Sequence, residues 1–532
     1  ISNTTTAPIK VLDAKKVILT LADNTTNTIT DSSRLSTEED YSAAIYSKED
    51  LIINGNGTLN VNAGYRNGIK STDDCIIVSG TLNITSTEDG IIGKDLCGVV
   101  AGDININAGS DGIKSTYDTD TTKGNVIIEG GNITIKASND GIQAENILVI
   151  NDGAINIKTN NGAADTTQTH IDNMDMGRGG FGFNNNKTTT TTDDTSESRK
   201  GIKAGNMLII NDGDITIDSD DDSVHCNSVI YIYGGTINAA TGDDGVHADD
   251  LLTVNGGTIN ITQCYEGLEA DDIVINDGDI SVVSSDDGIN SSDGSITING
   301  GNLLINASGD GLDANGSIII NDGYIVVLGP TSDGDTAIDY DDSCTINGGT
   351  VMAFGSSGML EIPKGASNGA CIVTAFTSVS GGSKYTLSDS NGNEILSYTP
   401  SKAYAAAIVY SDKITTGNTY NITAGSTTLS IEVTSDVTSN VSSGFGGAGG
   451  MNKHGNGGSG MPNNGSSDNG MGNGNSNGSM PDMLGNGAPD MNGNSSGDMP
   501  SMGGNSSNNG GNMPNMNNGS SNGSAPQMNN RM

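Results

Sequence analysis

Residues 241–290 read TGDDGVHADDLLTVNGGTINITQCYEGLEADDIVINDGDISVVSSDDGIN, and the fold can be predicted from this segment because it repeats one short pattern. Each copy has an Asp-Gly or Glu-Gly step, an aliphatic residue, a small residue, a short alternating strand, an Asn-Gly-Gly or Asn-Asp-Gly turn and another strand. Most copies along the chain begin 21 to 24 residues apart. Such a period is typical of a solenoid, and short alternating strands separated by glycine turns predict the coils of a parallel β-helix.

Two columns of residues support this prediction when the copies are aligned on the glycine of the step. A residue that follows the glycine directly is aliphatic, and the residue three positions after the glycine is small, so both are expected to face a narrow interior. The aliphatic column is Ile69, Ile91, Ile113, Ile142, Ile202, Val224, Val246, Leu268, Ile289 and Leu312. The small column is Ser71, Gly93, Ser115, Ala144, Ala204, Cys226, Ala248, Ala270, Ser291 and Ala314. About twelve coils, at roughly 4.8 Å each, predict a rod of roughly 55 to 60 Å.

The repeat also predicts how the chain is divided. Residues 1–40 form an N-terminal strand or cap region, and residues 41–364 form the β-helix, with a polar inserted loop at 163–199. Residues 365–435 keep alternating strands without the step and are predicted to be a small β domain that caps the open end of the helix. Residues 436–532 are rich in Gly, Asn, Ser and Met and are predicted to be a disordered tail.

Composition limits the kinds of partner and location. The chain has 532 residues, a net charge of −41 and 77 glycines, with 33% hydrophobic residues, which argues against a compact α/β enzyme. The charge disfavours nucleic acid and anionic membrane surfaces, and no apolar stretch approaches the roughly 20 residues that span a bilayer. Because the sequence starts at Ile1 rather than Met, we expect that a secretory signal has been removed. We therefore expect a monomer that is secreted or held at the cell surface.

Six cysteines are too few for a disulfide framework in a chain of this length. Cys75 and Cys97 are 22 residues apart and should occupy one column on neighbouring coils. That spacing, about 4.8 Å, is compatible with a disulfide or with two buried thiols.

Charge is distributed unevenly along the predicted helix. Residues 204–363 contain no Lys or Arg in 160 positions but contain 28 Asp and Glu. The residue two positions after the step glycine should point outward, and we call these residues the outward column. The outward column changes from basic to acidic along the chain: Tyr46, Lys70, Ile92, Lys114, Gln143, Lys203, His225, His247, Glu269, Asn290, Asp313 and Asp339.

Stacked carboxylates without basic partners predict bound calcium. Like charges on neighbouring coils repel each other by about 1 kcal/mol at roughly 4 Å even in water, and Ca²⁺ binds clusters of oxygen ligands readily. The alternative is that these residues are solvated, since Asp before Gly is favoured in any tight turn. The predicted calcium ligands are Asp221, Asp222, Asp243, Asp244, Asp249, Asp250, Glu266, Glu269, Asp271, Asp272, Asp286, Asp287, Asp310 and Asp313. The predicted carbohydrate contacts are Tyr46, Lys70, Lys114, Lys203, His225 and His247.

The motifs of the repeat resemble those of the clostridial carbohydrate-binding β-helix family. They are DDGVHAD (243–249), YEGLEA (265–270), DDGIN (286–290), GDGLDANG (309–316) and AIDYD (337–341). The resemblance implies an all-β, pectate-lyase-like, right-handed parallel β-helix that is secreted and binds calcium. It also implies attachment to plant cell-wall polysaccharide, such as cellulose or acidic pectic sugars, without a demonstrated catalytic activity. Ser223 departs from the family pattern, which has Gly at this step.

Three functions remain open at this point. A binding protein would use calcium to bridge its carboxylates to the uronates of a polymer such as polygalacturonate. A pectate lyase would need a base as well, and Lys203 is the best candidate because its column leads into the acidic coils. A surface adhesin or spacer would need neither calcium nor a base. The chain has no Trp, which favours acidic polysaccharide over crystalline cellulose.

Overall fold

The computed structural model describes residues 1–32, 41–164 and 198–441. In these ranges the chain is almost entirely β-strand, and the one helical segment is the 3-10 turn Gly162–Ala164. None of the described helical structure is long enough to cross a bilayer. Most of the predicted inserted loop, and the predicted tail from residue 442 onward, lie outside the described residues.

About 13 coils of parallel β-helix are present, and each coil has up to three short strands. We call them first, second and third strands; Val246–Val254 and Leu268–Ile275 each combine a first and a second strand. The other first strands are Ile9–Val11, Ala43–Ser47, Asn67–Ser71, Ile91–Gly93, Ile113–Lys114, Ile142–Ala144, Ile202–Ala204, Val224–Cys226, Ile289–Ser291, Leu312–Ala314 and Ile338–Tyr340. The other second strands are Val17–Leu21, Leu51–Gly55, Asp74–Ile77, Leu96–Val99, Asn125–Ile128, Ile147–Ile150, Met207–Ile210, Val229–Ile232, Ile296–Ile298, Ser317–Ile320, Ser343–Ile346 and Gly365–Ala366. The third strands are Thr26–Asp31, Thr58–Ala63, Thr81–Ser86, Asp103–Ala108, Asn132–Ala137, Ala154–Thr159, Asp214–Ser219, Thr236–Thr241, Thr258–Cys264, Asp279–Ser284, Asn302–Asn306, Tyr324–Leu328 and Thr350–Gly355, with Ser2–Asn3 at the edge. The predicted all-β solenoid is confirmed.

Strand register confirms the predicted columns. Ile69 pairs with Ile91, and Ile91 pairs with Ile113, in parallel first strands. The pairing is the same between the two coils that flank the inserted loop in sequence, since Ile142 pairs with Ile202. Both columns are buried throughout and pack in one continuous core that runs along the helix.

Two kinds of glycine serve the repeat for different reasons. In the tight turn between second and third strands, Gly80 has φ +115°, a conformation that side chains other than glycine rarely adopt. The step glycine instead is required by close packing. A Cβ at Gly201 would lie 2.5 Å from Cγ2 of Ile217 on the third strand of the same coil.

Ser223 replaces the step glycine without disturbing the strands around it. Val224–Cys226 pairs in register with both neighbouring coils. Ala239 occupies the column position that Ile217 and Ile261 occupy on the neighbouring coils, so space exists for the serine side chain. Ala337, which also replaces a step glycine, has Ala353 at the same third-strand position. A larger residue at the step therefore accompanies a smaller one opposite it.

Both ends of the helix differ from the predicted boundaries. The first complete coil already begins at Ile9–Val11, because this strand pairs with Ala43–Ser47, so the helix includes much of the predicted N-terminal cap region. At the other end Thr350–Gly355 pairs with the antiparallel strand Tyr404–Ser411, which covers the sheet edge.

The remaining C-terminal strands pack over a second hydrophobic cluster that contains Phe354, Tyr385 and Tyr404. Val437–Ser439 pairs with Ala370–Val379, so the start of the predicted disordered tail at residue 436 was placed too early. The strands of this region are Ala370–Val379, Tyr385–Asp389, Glu394–Tyr398, Tyr404–Ser411, Thr419–Ala424, Thr427–Glu432 and Val437–Ser439.

All six cysteines lie in the described ranges and are buried, free thiols. Cys75 and Cys97 are register neighbours on adjacent second strands, as their spacing predicts. Of the two alternatives, the structure has the buried thiols, and burial raises the pKa of Cys97 to about 12.

Candidate functional site

The aspartate that precedes the step glycine has a structural role in most coils. Its Oδ1 atom accepts a hydrogen bond from a backbone N–H of the next coil. Asp140 N donates to Asp111 Oδ1 at 2.9 Å, Asp244 N to Asp222 Oδ1 at 3.0 Å, and Asp310 N to Asp287 Oδ1 at 2.6 Å. One oxygen of the step aspartate therefore links coils, and the other remains for the outward column three residues later.

The strand register confirms the outward column. In each coil the outward residue determines which group lies beside the Oδ2 atom of the step aspartate. In the coil of Asp111, Oδ2 lies 2.5 Å from Lys114 Nζ. In the coil of Asp222, Oδ2 lies 2.8 Å from His225 Nδ1. In the coil of Asp310, the outward residue is Asp313, so a carboxylate stands where the other two coils have a base. It converges with Asp287 and Asp310. The surface therefore has three sections. The lysine section contains Lys70, Lys114 and Lys203, the histidine section contains His225 and His247, and the carboxylate section contains Asp287, Asp310 and Asp313.

The lysine section contains two amines that contact hydroxyl groups. Lys203 Nζ donates to Ser198 Oγ at 3.2 Å, and Lys70 Nζ lies 3.4 Å from Ser42 Oγ. Burial lowers the pKa of Lys70.

Tyr46 was predicted to contact carbohydrate, but it is only 6% exposed and packs against Tyr41, Ala7 and Ala43. The N-terminal segment covers it, since Lys10 is its register partner. A side chain buried in this way cannot contact a polymer, so that prediction was wrong.

Two basic residues that sequence reasoning missed reach into the acidic coils. Lys200 Nζ lies 2.8 Å from Asp221 Oδ1 and 2.5 Å from Asp222 Oδ2. Arg199 Nη1 lies 2.8 Å from Asp220 Oδ2. Burial opposes ionisation of Asp222, but Lys200 and the neighbouring imidazoles hold the pKa of this carboxyl well below its usual range. The acidic region is thus partly neutralised at its first coil by residues just outside the Lys- and Arg-free stretch.

The histidine section joins three coils. His247 Nδ1 lies 3.2 Å from Glu269 Oε2, 3.4 Å from Asp244 Oδ2 and 3.9 Å from Asp222 Oδ2. Its ring meets the ring of His225 edge-on, with centroids 4.9 Å apart. Burial lowers the pKa of His247, but the carboxylates outweigh it and raise this pKa to about 10.

The carboxylate section contains Asp287, Asp310 and Asp313, which bring one oxygen each to within 4.8 Å of one another. Burial, followed by repulsion from Asp286 and Asp313, raises the pKa of Asp287 to about 8. Burial likewise raises the pKa of Asp310 to about 8 and that of Asp313 to about 6. In the part of the chain that the structure describes, no Lys, Arg or His forms an ion pair with this cluster.

The other predicted calcium ligands are arranged differently. Asp243 converges with Asp221 and Asp222, and burial together with Asp244 raises its pKa to about 8. Glu266 accepts a hydrogen bond from Asn290 Nδ2 at 2.8 Å.

Six of the predicted ligands join no group of three converging ligands among the described residues: Asp249, Asp250, Glu266, Asp271, Asp272 and Asp286. Several of them bind neighbouring hydroxyl or amide groups instead, as in the 2.7 Å contact from Ser228 Oγ to Asp250 Oδ2. A further trio that the sequence did not single out, Asp50, Asp73 and Asp74, converges in the neighbouring coils of Tyr46 and Lys70.

Fold and site together define a parallel β-helix protein with a polar, sign-changing face along one side. A family model described as carbohydrate-binding domain-containing protein matches residues 1–245 and 243–440. The chain therefore belongs to this carbohydrate-binding family, as its motifs predicted, and carbohydrate binding is the function that membership supports.

One curated relative is a carbohydrate-binding domain-containing protein from Acetivibrio thermocellus, 40% identical over 88 residues. The match spans 16% of this chain and 31% of that protein, less than a third of its length. A solved structure of a polysaccharide lyase-like protein from C. thermocellum, in a gadolinium derivative, is 36% identical with a TM-score of 0.29. That match covers 30% of this chain and 66% of the other.

Proposed function

We propose that this protein binds acidic polysaccharide through calcium held by Asp287, Asp310 and Asp313. The observation that carries the proposal is the convergence of these three carboxylates, with no ion-paired base beside them in the described residues. The family's name supports a carbohydrate as the ligand. We further propose polygalacturonate as the class of polymer, and a location outside the cell.

The cluster fits calcium in ligand chemistry. All three side chains offer oxygen, which is the ligand that Ca²⁺ prefers. Without a cation, burial and mutual repulsion keep the pKa values of Asp287 and Asp310 near 8, so ionising them together is unfavourable at neutral pH. A divalent ion would remove this conflict.

The ligand count favours a bridge to the polymer. Ca²⁺ takes about six to eight oxygen ligands, and three carboxylates cannot supply all of them alone. Remaining positions are open to carbonyls, water or the carboxylates of a uronate polymer. A bridging ion would allow a chain with a net charge of −41 to hold an acidic ligand.

The face next to the cluster supports binding along the side of the helix. Amines of Lys70 and Lys203 contact hydroxyl groups rather than carboxylates. They can therefore bind carboxylates of the same polymer, several coils away from the calcium cluster. By contrast Lys114 is engaged by Asp111 and is a weaker candidate for such binding.

A binder fits better than a lyase. A lyase base must take a proton from carbon, which requires an amine that is readily deprotonated. Lys200 is the amine among the carboxylates, but Asp222 and Asp221 raise its pKa despite burial. Lys203, the predicted base, contacts Ser198 instead of this group.

Sedimentation with polygalacturonate or cellulose, in calcium or in chelator, tests the proposal while unsaturated product is monitored. We expect calcium-dependent retention on polygalacturonate without product, and loss of retention in Asp313→Asn. The matched control is Asp214→Asn, which changes an exposed aspartate on a third strand. If unsaturated product forms and is lost in Lys203→Ala, the protein is a lyase instead. If the protein is retained on neither polymer, the binding proposal is wrong and the role of a surface spacer is favoured.

A further inference from the structure

The histidine section contains a buried imidazole nitrogen without a hydrogen-bond partner. His225 is 9% exposed, and its Nε2 lies 2.9 Å from Asn227 Oδ1. Because an amide oxygen only accepts, Nε2 carries the proton of this contact. Nδ1 then faces Asp222 Oδ2 at 2.8 Å without the alignment that a hydrogen bond needs. In the neutral ring, two lone pairs would face each other.

His247 poses a related problem from the next coil. Three carboxylates, Asp222, Asp244 and Glu269, approach its Nδ1 to between 3.2 and 3.9 Å. One N–H can donate well to only one of them, so hydrogen bonding alone cannot satisfy this arrangement. A metal ion at the centre could accept all of these ligands at once.

We infer that His225 Nδ1 and His247 Nδ1, with Asp222 and one carboxylate from Asp244 or Glu269, form a site for a divalent transition metal of the zinc class. Imidazole favours such ions over calcium, whose ligands are oxygen.

The spacing fits a small ion. Zinc–ligand bonds of about 2.0 to 2.1 Å place tetrahedral ligand atoms roughly 3.3 Å apart. The separations are 2.8 Å from His225 Nδ1 to Asp222 Oδ2, 3.4 Å from His247 Nδ1 to Asp244 Oδ2 and 3.9 Å from His247 Nδ1 to Asp222 Oδ2, so they lie on either side of that value.

Neighbouring charges make the site compatible with the rest of the acidic face. Lys200 already pairs with Asp221 and Asp222, so the ion does not have to neutralise every carboxylate alone. The ligands come from three successive coils, whose first strands pair in register at His225, His247 and Glu269. A bound ion would therefore clamp these coils together. The site shares no residue with the Asp287, Asp310 and Asp313 cluster and is independent of the proposed function.

Zinc titration of the full chain after chelator treatment tests the inference, with calorimetry and a competing chromophoric chelator as readouts. We expect one tight site per chain, and an affinity at least about 100-fold weaker in His247→Ala and in His225→Ala. His247→Gln is a second variant that keeps a polar side chain in place, and circular dichroism checks that each variant is folded. His170→Ala controls for binding by a histidine elsewhere in the chain.

Asp313→Asn separates this inference from the proposed calcium function. We expect it to leave zinc affinity unchanged while it removes calcium-dependent retention on polygalacturonate. Zinc affinity that is absent in the wild type, or equal in wild type and both histidine variants, would overturn the zinc site. Calcium-dependent retention would be unaffected by that result.

Discussion

The coil of Lys114 and the coil of Asp313 share one backbone but differ in charge. Ile113 and Leu312 occupy the same buried column, and in both coils the step aspartate accepts a backbone N–H from the next coil. In one coil the outward residue is a lysine that pairs with the step aspartate. In the other it is an aspartate, which leaves the carboxylates without a base among the described residues.

This difference shows that one residue per coil sets the chemistry of the surface. The fold is built from the inward columns and the coil-to-coil hydrogen bonds, which are common to both regions. The outward residue is not needed for those contacts, so it can change from lysine through histidine to aspartate without changing the backbone. The coil of Lys114 neutralises its own step aspartate, whereas the coil of Asp313 has no ion-paired base among the described residues.

Asp313→Lys should have the largest effect, because it gives the carboxylate coil the residue of the lysine coil. A lysine facing Asp310 would occupy the place of the cation and remove a ligand. We expect calcium affinity at this cluster to fall at least about 100-fold, or about 2.7 kcal/mol. Isothermal titration measures it, and Asp214→Lys on an exposed strand position is the control. Unchanged calcium stoichiometry in Asp313→Lys would contradict the assignment.

Lys114→Met tests the opposite region. Asp111 would lose its partner while remaining buried, and we expect the free energy of unfolding at pH 7 to fall by about 2 kcal/mol. This figure is below the range for fully buried pairs, because the Lys114 side chain is 25% exposed. Urea denaturation measures the change, with exposed Lys136→Met as the control. The deficit should shrink near pH 4, where a buried Asp111 is protonated; a deficit that persists there would point to lost packing instead.

Ala239→Ile tests the coil between the two regions, where Ser223 replaces the step glycine. The added side chain should collide with Ser223, because a Cβ added at the step glycine of a neighbouring coil would lie within 2.5 Å of the isoleucine at this position. We expect a loss of about 1 to 2 kcal/mol of unfolding free energy. Adding Ser223→Gly should restore most of it, whereas the outward-facing Ala240→Ile should change little. A double variant no more stable than Ala239→Ile would refute the compensation.

The last effect is a pH dependence of stability, expressed per pH unit. Folded-state pKa values of about 8 for Asp287 and Asp310 exceed the ordinary aspartate value of 3.8. The folded protein therefore binds more protons than the unfolded chain between about pH 4 and 8. In chelator, unfolding free energy should fall as pH rises through this window, by at most about 1.4 kcal/mol per pH unit for each group.

If the proposed calcium site exists, calcium bound to the ionised groups should flatten this dependence, and thermal denaturation at several pH values measures it. Asp313→Lys should flatten the pH dependence even without calcium. The lysine ammonium beside Asp310 would favour its ionised form and so lower its pKa. An identical slope in calcium and in chelator would show that these carboxylates do not hold the ion.

Much of the fold could be predicted because the repeat exposes its inward positions directly. The aliphatic and small columns need only the period and the alternation of a strand, and strand pairing confirms the aliphatic column at every coil. Roles within the acidic coils were harder to predict, because the two oxygens of one aspartate do different things. Nothing in the letters Asp-Gly distinguishes the oxygen that binds the next coil from the one that faces the outward column.

Contacts made by residues outside the acidic stretch were the least predictable. Lys200 reaches Asp221 and Asp222 from the preceding coil, although the linear sequence places it outside the acidic stretch. Tyr46 belongs to the outward column, but the N-terminal segment covers it.

The sequence was sufficient for the β-helix, its period and the change of sign along the outward column, because these depend on local alternation repeated many times. Only the folded chain decided which carboxylates converge, which lysine neutralises them and where two imidazoles meet three acids. Those outcomes depend on distances of a few ångströms between residues about 22 positions apart, set by how successive coils stack.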